Sequence, residues 1–209
     1  MISNDCEGFT GGTHLAKEMA EMKVQRGFTL PELLVTLALF MTISAMGFAV
    51  MGTAVPMIRT DGQVNRLLGM LQFAREMAIS RQRDVEVRID VNTNTIDLIR
   101  HDEGVEVLVQ KMVFEYGVKL LQFSDMGDTP EGYGSNDAVD FNGATTLLFI
   151  SDGSLVDDAS VPVNGTIYLA MEGKRETARA ITVTGSTARA RFYKWTPDSQ
   201  TWEGGWIGK

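Results

Sequence analysis

A lone carboxylate, Glu32, stands at the start of a long apolar run, and it is the most informative ionisable group in this sequence. From Leu33 to Ile58 the chain contains no Asp, Glu, Lys, Arg or His. A charged side chain near the centre of a bilayer costs roughly 2.5–3.5 kcal/mol or more, so it is kept where another group pairs with it. Glu32 is therefore a candidate for an ion pair at the membrane; the alternative is that it only marks the boundary with water.

Residue types that carry most enzymatic chemistry are scarce. The two histidines are His14 and His101, and the second lies in the polar stretch IRHDEG, where an exposed histidine without a special role is expected. A nucleophilic site or a histidine-rich metal site would have to rest on His101 alone. Cys6 is the single cysteine, so neither a disulfide framework nor a cysteine metal site is expected. With no phosphate-binding glycine motif, we expect no catalytic residues, no metal and no cofactor.

Charge is segregated along the C-terminal half of the chain. Between Leu120 and Gly173 there are nine acidic residues and no Lys or Arg, whereas basic residues concentrate from Lys174 to Lys194. The acidic stretch SDMGDTPEGYGSND lacks the spacing of an EF-hand calcium loop, so we expect a solvated, mobile loop. The formal net charge of −8 disfavours a general affinity for nucleic acid.

The basic residues Arg189, Arg191 and Lys194 nevertheless form a candidate binding site. The spacing of Arg189 and Arg191 puts both side chains on one face of a strand. Neighbouring aromatic rings could stack on bases; because the chain is acidic, we favour the alternative that these rings complete the core and the arginines are solvated. The aromatic residues are Phe192, Tyr193 and Trp195.

The apolar run predicts a helix in the membrane. About 20 apolar residues span the ~30 Å core of a bilayer as a helix, and the segment 28–58 exceeds that length. A buried core helix of this length would normally carry a polar stripe, and a cleaved signal peptide would be shorter and end in a small-residue cleavage site. We therefore assign 28–58 to a retained transmembrane helix.

The helix is expected to continue through 59–84 as an amphipathic segment. Gly52, Pro56 and Gly62 predict a bend near 52–62. Beyond the bend, apolar residues at helical spacing form one stripe, which predicts a surface that docks on a sheet. The stripe consists of Val64, Leu67, Leu68, Leu71, Ala74 and Ala78.

After Arg83 the hydrophobic pattern changes to a period of two. VEVRID and TIDLIR around the turn NTN predict a hairpin, and further strands are predicted at EVLVQKMVF, VKLLQFS, TTLLFIS, GTIYLAM, ARAITVT and ARARFYKW. Trp202 and Trp206 in the tail either pack on the sheet or contact a partner. The predicted fold class is α+β: a long N-terminal transmembrane and amphipathic α-helix packed on an antiparallel β-sheet domain, residues 85–209.

The stretch RGFTLPELLVTLAL resembles the cleavage and methylation motif of type IV pilins and type II secretion pseudopilins. The resemblance implies that a prepilin peptidase cleaves after Gly27, that Phe28 becomes the N-methylated N-terminus, and that Glu32 is the fifth residue of the mature chain. Pro31 stands where many members carry Ile or Leu, but proline is tolerated in the first turn of a helix. Residues 1–27 would then be a leader.

That resemblance also supplies a partner for Glu32. Cleavage creates an α-amine on Phe28, and in pilins the amine of one subunit is thought to neutralise the glutamate of a neighbour. The same pairing here would set the register of the subunit as it leaves the bilayer. The basic part of the leader, MKVQRG, favours translation from Met22.

The segment LLGMLQFAREMAISRQRDVEVRID resembles the one that follows the membrane helix in the GspH/FimT family of minor pseudopilins and minor pilins. LLFISDGSL and ARAITVTGSTARARF resemble its later strand and last hairpin. The resemblance implies a pilin-like fold and a structural subunit that primes or caps a periplasmic filament in type II protein secretion or type IV pilus assembly. It implies a single pass through the bacterial inner membrane, with the C-terminal domain in the periplasm. Implied partners are other pilins, the prepilin peptidase, the inner-membrane platform and, before assembly, lipid.

The last hairpin carries the alternative function. In the FimT branch a C-terminal Gly-Arg-x-Arg hairpin is associated with DNA capture during uptake. The matching residues here are Ala188, Arg189, Ala190 and Arg191, so the arginine spacing is kept but the glycine is not. A DNA-uptake role through Arg189 and Arg191 is therefore the alternative to a purely structural subunit.

Overall fold

The computed structural model describes residues 27–102, 104–134, 137–144 and 146–205. Within them a single long helix, α1, is followed by strands that form two antiparallel sheets. The chain divides into two compact units, Met1–Phe48 and Ala49–Lys209, which are treated separately below.

Helix α1 extends from Leu30 to Arg81. Its first turn closes through a hydrogen bond from the Leu33 N–H to the Thr29 carbonyl, 3.1 Å. Pro31 fits there because the first N–H groups of a helix have no partner within it. At the other end Gln82 adopts φ 50°, the left-handed conformation that commonly terminates helices.

Pro56 lies inside α1. Proline lacks the N–H that would bond to the carbonyl four residues earlier, but the helix continues on both sides of it. The Thr60 hydroxyl donates to the Pro56 carbonyl at 3.1 Å. The glycines and proline predicted near 52–62 therefore do not end the helix, and the bend stays a prediction.

The first unit contains the apolar part of α1. The span Leu30–Phe48 is long and apolar enough to cross a membrane, and none of it is buried within the protein. Large apolar side chains such as Phe40 (72% exposed) and Phe48 (77% exposed) have no internal contacts to shield them. Contiguous apolar surface of this extent indicates lipid or apolar protein as its environment.

In the second unit the amphipathic part of α1 forms one wall of the main hydrophobic core. All six residues of the predicted stripe are buried, with exposures between 0% and 7%. They pack with strand residues such as Phe149, Leu169 and Ile181. The predicted docking of this helix face on the sheets is confirmed.

Both sheets are antiparallel. The first has the order β3-β2-β1-β6-β7, and the second has the order β11-β10-β9-β8-β4, with β5 also paired to β8. The strands are β1 Val85–Asp90, β2 Thr95–Asp102, β3 Val105–Val113, β4 Val118–Leu120, β5 Val139–Asp140, β6 Leu147–Phe149, β7 Leu155–Val156, β8 Gly165–Met171, β9 Lys174–Thr184, β10 Arg189–Thr196 and β11 Thr201–Gly205.

The predicted α+β class and the first hairpin are confirmed. Strands β1 and β2 pair in the expected register, from Val85 opposite Arg100 to Asp90 opposite Thr95. The segments VKLLQFS and TTLLFIS form strands of only three residues each. Strands β5, β7 and β11 were not predicted; the first two contain only two residues each.

The acidic loop packs on the second sheet, which corrects the prediction that it is solvated. Alternate residues of β8, β9 and β10 face away from α1 and form a second apolar cluster with Met126 and with the partly buried Leu121 and Phe123. The Trp202 indole N–H donates to the Gly127 carbonyl at 2.7 Å. The rings of Trp195 and Trp202 meet edge to face, 5.2 Å between centroids. Trp202 therefore packs on the sheet, whereas Trp206 lies outside the described residues.

Asp128 ties this loop to the strand beneath it. The Tyr168 hydroxyl donates to Asp128 Oδ1 at 2.8 Å, and the backbone N–H of Gly134 donates to the same oxygen at 3.0 Å. A side chain at Gly134 would collide with the Tyr168 hydroxyl, since an added Cβ would lie 2.2 Å from it. Burial, followed by the bond to Asp128, raises the pKa of Tyr168 above its ordinary value.

Candidate processing and assembly site

The predicted processing residues lie at the beginning of the described chain. Gly27 and Phe28 precede α1 in non-helical conformation, and Phe28 is 78% exposed. Glu32 lies in the first turn of α1, where the positive end of the helix dipole favours a carboxylate. The arrangement places a scissile Gly–Phe peptide outside the helix and the carboxylate one turn inside it. The rest of the leader, with His14 and Cys6, lies outside the described residues.

His101 is not the isolated, exposed residue that the sequence predicted. It lies on β2, half-buried, with its Nε2 3.0 Å from Glu86 Oε2 on β1. Arg88 Nε donates to the other oxygen of Glu86 at 2.8 Å, and its guanidinium is 3.5 Å from Glu106 on β3. Sequence order separates these residues, so only the strand register could bring them together.

This cluster has the ligand types of a metal site. Donor atoms of Glu86, His101 and Glu106 lie within 4.8 Å of one another. Arg88, however, already provides a positive charge to both carboxylates. The arrangement is a charge-compensated polar network on the outer surface of the first sheet, and its bonds join three neighbouring strands.

The predicted basic site is divided between two faces of β10. Arg189 and Arg191 are both exposed and alternate along the strand, as predicted, whereas Lys194 has the opposite parity and lies on the other face. Arg191 Nη1 is 2.7 Å from Glu131 Oε1, and the Tyr193 hydroxyl donates to the same carboxylate. The bond to Glu131 raises the pKa of Arg191, and burial, followed by that bond, raises the pKa of Tyr193.

The aromatic residues near these arginines belong to the protein interior. Tyr193 and Trp195 are each 7% exposed in the cluster beneath the acidic loop, and Phe192 is partly buried against the main core. The structure therefore confirms the alternative in which these rings complete the core. Their buried faces are not accessible for stacking on bases.

The remaining basic residues show how the segregated charge is resolved. Arg175 pairs with Asp125 of the acidic loop at 2.7 Å. Arg179 is completely buried, and its Nε donates to Asp61 of α1 at 2.6 Å. The acidic stretch, apart in sequence, thus folds over the basic one, so that acids partner three members of the basic stretch.

Ala188 replaces the glycine of the resembling hairpin without preventing the turn. It adopts φ 47°, a left-handed conformation that glycine occupies at no steric cost. Its N–H donates to the Gly185 carbonyl at 3.2 Å, and the Thr187 N–H donates to the Thr184 carbonyl at 3.3 Å. The hairpin between β9 and β10 is therefore intact, although its sequence departs from the Gly-Arg-x-Arg pattern.

The chain matches two protein families in successive segments. Residues 22–48 match the prokaryotic N-terminal methylation motif, which places the protein in the class of membrane-anchored pilin-type subunits. Residues 63–188, more than half of the chain, match the family described as type II transport protein GspH. The protein belongs to the GspH family of minor pseudopilins, within the type IV pilin superfamily. This family consists of structural subunits and not of enzymes.

Solved structures of similar fold include pseudopilins and minor pilins. The minor pseudopilin EpsH of the Vibrio cholerae type 2 secretion system is 16% identical, with 65% of this chain and 97% of that one covered and a TM-score of 0.45. The Pseudomonas aeruginosa type IV minor pilin FimU is 15% identical, with 75% of this chain and 96% of that one covered and a TM-score of 0.45. No curated protein sequence matches the chain.

Proposed function

We propose that this protein is a minor subunit that primes or caps a periplasmic pseudopilus or pilus, in type II protein secretion or in type IV pilus assembly. The observation that carries the proposal is the surface of α1 from Leu30 to Phe48. It is apolar and exposed along its whole length, and Glu32 is its only ionisable residue. Such a helix fits a lipid bilayer before assembly and the apolar centre of a bundle of like helices afterwards.

In this proposal the prepilin peptidase cleaves after Gly27, and Phe28 becomes the N-methylated first residue. The new α-amine carries a positive charge beside the membrane. Glu32 of a neighbouring subunit accepts that charge, because an unpaired carboxylate is costly in an apolar medium. The pair fixes the axial position of one helix against the next, so a single ion pair can determine register along a surface that is otherwise uniformly apolar.

The same reasoning gives the location and the partners. The protein is proposed to cross the bacterial inner membrane once, with its domain in the periplasm. Its partners are the prepilin peptidase, other pseudopilins or pilins, the inner-membrane assembly platform and membrane lipid.

The geometry of the last hairpin weighs against the alternative function, DNA uptake through Arg189 and Arg191. Arg191 is bonded to Glu131, and the neighbouring aromatic rings of Tyr193 and Trp195 are buried. Lys194 lies on the opposite strand face. The purified full-length protein is therefore expected to give no salt-sensitive gel shift with DNA that is lost on replacing both arginines by alanine.

The decisive experiment separates membrane insertion from assembly. In cells that contain the complete assembly machinery, Glu32→Ala should remain fully inserted in the membrane but be absent from sheared filaments. Glu76→Ala, which removes an exposed carboxylate of α1 far from the motif, is the control and should be incorporated normally. Mass spectrometry of the filament fraction should show a chain that begins with methylated Phe28. Normal incorporation of Glu32→Ala, or an N-terminus that still carries Gly27, would contradict the proposal.

A further inference from the structure

An open groove runs along the second unit between α1 and β10. Its larger part has a volume of about 700 Å³ and is lined by Asn65, Leu68, Gly69 and Gln72 on the helix and by residues 189–193 on the strand. A second part of about 390 Å³ shares Gln72 and Arg189 with the first and extends toward Phe149. No residue with a known role in processing or in the membrane segment lies in it.

The charges around this groove are of one sign. Three arginines line it, Arg75 from the helix and Arg189 and Arg191 from β10, and neither part is lined by a carboxylate. Arg75 is held in place because its Nε donates to the Gly153 carbonyl at 3.0 Å. Because the protein as a whole is acidic, a groove lined only by cations is a local exception that favours an anionic occupant.

The floor of the groove is apolar, and one side is the edge of a sheet. Ala190, Phe192 and Leu68 supply apolar surface. Strand β10 pairs with β9 from Arg189 to Lys194, but β11 pairs with it only from Phe192 onward. Among the described residues, 189–191 therefore have a neighbouring strand on one side only, and such an edge can pair with an added strand.

Gly69 determines the width of the groove. A Cβ added at this position would meet no other atom within 4 Å, so the residue faces open space. Glycine inside a helix costs about 1 kcal/mol relative to alanine. The helix thus carries a destabilising residue at the position where a side chain would enter the groove.

We propose that this groove binds an extended acidic segment of a partner protein, which adds a strand beside residues 189–191 and places its carboxylates against the arginines. Apolar side chains of the segment, alternating with the acidic ones, pack on Leu68 and Phe192. The inference rests on the proposed function only for the source of the segment, which is a neighbouring filament subunit. A strand is preferred to nucleic acid because Tyr193 is buried and its hydroxyl is bonded to Glu131.

The test uses the purified full-length protein in detergent micelles and a fluorescent eight-residue peptide that alternates valine with glutamate. Matched probes are the same peptide with lysine in place of glutamate and a labelled single-stranded oligothymidine. Fluorescence anisotropy should show saturable binding of the glutamate peptide, at least about tenfold tighter than that of the lysine peptide. The difference should shrink as salt is raised.

Two glycine variants give a matched comparison. Gly69→Leu fills the groove without a clash and should weaken peptide binding at least about tenfold. Gly62→Leu, on the same helix and equally open but outside the groove, should leave binding unchanged. Arg189→Glu should weaken binding of the glutamate peptide and strengthen that of the lysine peptide. Thermal unfolding followed by tryptophan fluorescence confirms that each variant is folded.

The outcomes distinguish this proposal from its alternatives. Equal binding of the two peptides, or binding that Gly69→Leu does not affect, overturns it. Preferential binding of oligothymidine that is lost in Arg189→Glu assigns the groove to nucleic acid. Peptide binding that appears only after deletion of residues 206–209 assigns the groove to the chain's own C-terminal residues. Because no filament is needed, failure here leaves the Glu32 experiment unaffected, and the reverse also holds.

Discussion

Replacing Asp61 by asparagine should destabilise the second unit more than replacing its partner Arg179 by methionine. The Arg179 side chain is completely buried, and the Asp61 side chain is 44% exposed at the other end of a 2.6 Å ion pair. Arg179 Nη1 also donates to the carbonyls of Glu176 and Ala178 at 3.0 Å, but its Nη2 is buried without a partner. The two residues of the pair therefore depend on each other unequally.

The expected magnitudes follow from this difference in burial. Breaking a buried pair typically costs 3–5 kcal/mol because one charge is left uncompensated. Water screens the exposed carboxylate, so we expect roughly 2–3 kcal/mol for Asp61→Asn. Arg179→Met removes the buried charge and its unpartnered nitrogen, fills a similar volume and leaves Asp61 to be solvated. Its cost should stay within about 1 kcal/mol, and the double variant should resemble Arg179→Met.

Urea unfolding of the full-length protein in mild detergent measures these differences. Trp195 and Trp202 are buried together beneath the acidic loop, so tryptophan fluorescence reports on the unfolding of this unit. A midpoint shift without a change in slope indicates a change in stability alone. Equal destabilisation by the two single variants would refute the reasoning, because it would mean that the buried arginine contributes as much as the pair loses.

Three further predictions concern single contacts in the second unit. Gln82→Gly should stabilise the protein by roughly 0.5–1 kcal/mol, because glycine adopts the left-handed conformation at this helix end without strain; unfolding midpoints measure it, and destabilisation would contradict it. Trp202→Phe should cost about 1–2 kcal/mol by leaving the Gly127 carbonyl unpaired, with a loss of near-ultraviolet circular dichroism from the tryptophan pair; an unchanged midpoint would show that water replaces the bond. Because the folded state raises the pKa of Tyr168, its contribution to stability is complete below the unfolded value of about 10 and is lost as pH rises beyond it. Tyr168→Phe should therefore flatten the fall in stability above that pH, and an unchanged slope would assign the fall to other groups.

Local patterns in the sequence were sufficient for the helix and most of the strands. The stripe from Val64 to Ala78 follows helical periodicity, and the hairpin of β1 and β2 follows strict alternation around a turn, so both are encoded by neighbouring residues. Strands β5 and β7 contain two residues each, which is too short for any periodicity. Their existence depends on the sheets against which they pair.

The pairing of charges could not be predicted, because the partners are far apart in the chain. Composition alone marked 120–173 as acidic and 174–194 as basic, but it could not show that Asp125 and Glu131 fold onto Arg175 and Arg191. Arg179 gave no signal of burial, since an arginine on a strand is ordinarily expected in water. The processing residues, in contrast, were found because the motif that contains them is contiguous.

The place of β10 and β11 at the end of the chain bears on how the protein is made. Tyr193, Trp195 and Trp202 complete the cluster that covers Met126. A polypeptide interrupted before β10 would leave this cluster without its three largest rings and the acidic loop without Arg191. Quality-control proteases favour exposed apolar segments of this kind. A nascent subunit thus reaches a protease-resistant state only once translation is nearly finished, which protects the membrane from accumulating abortive fragments.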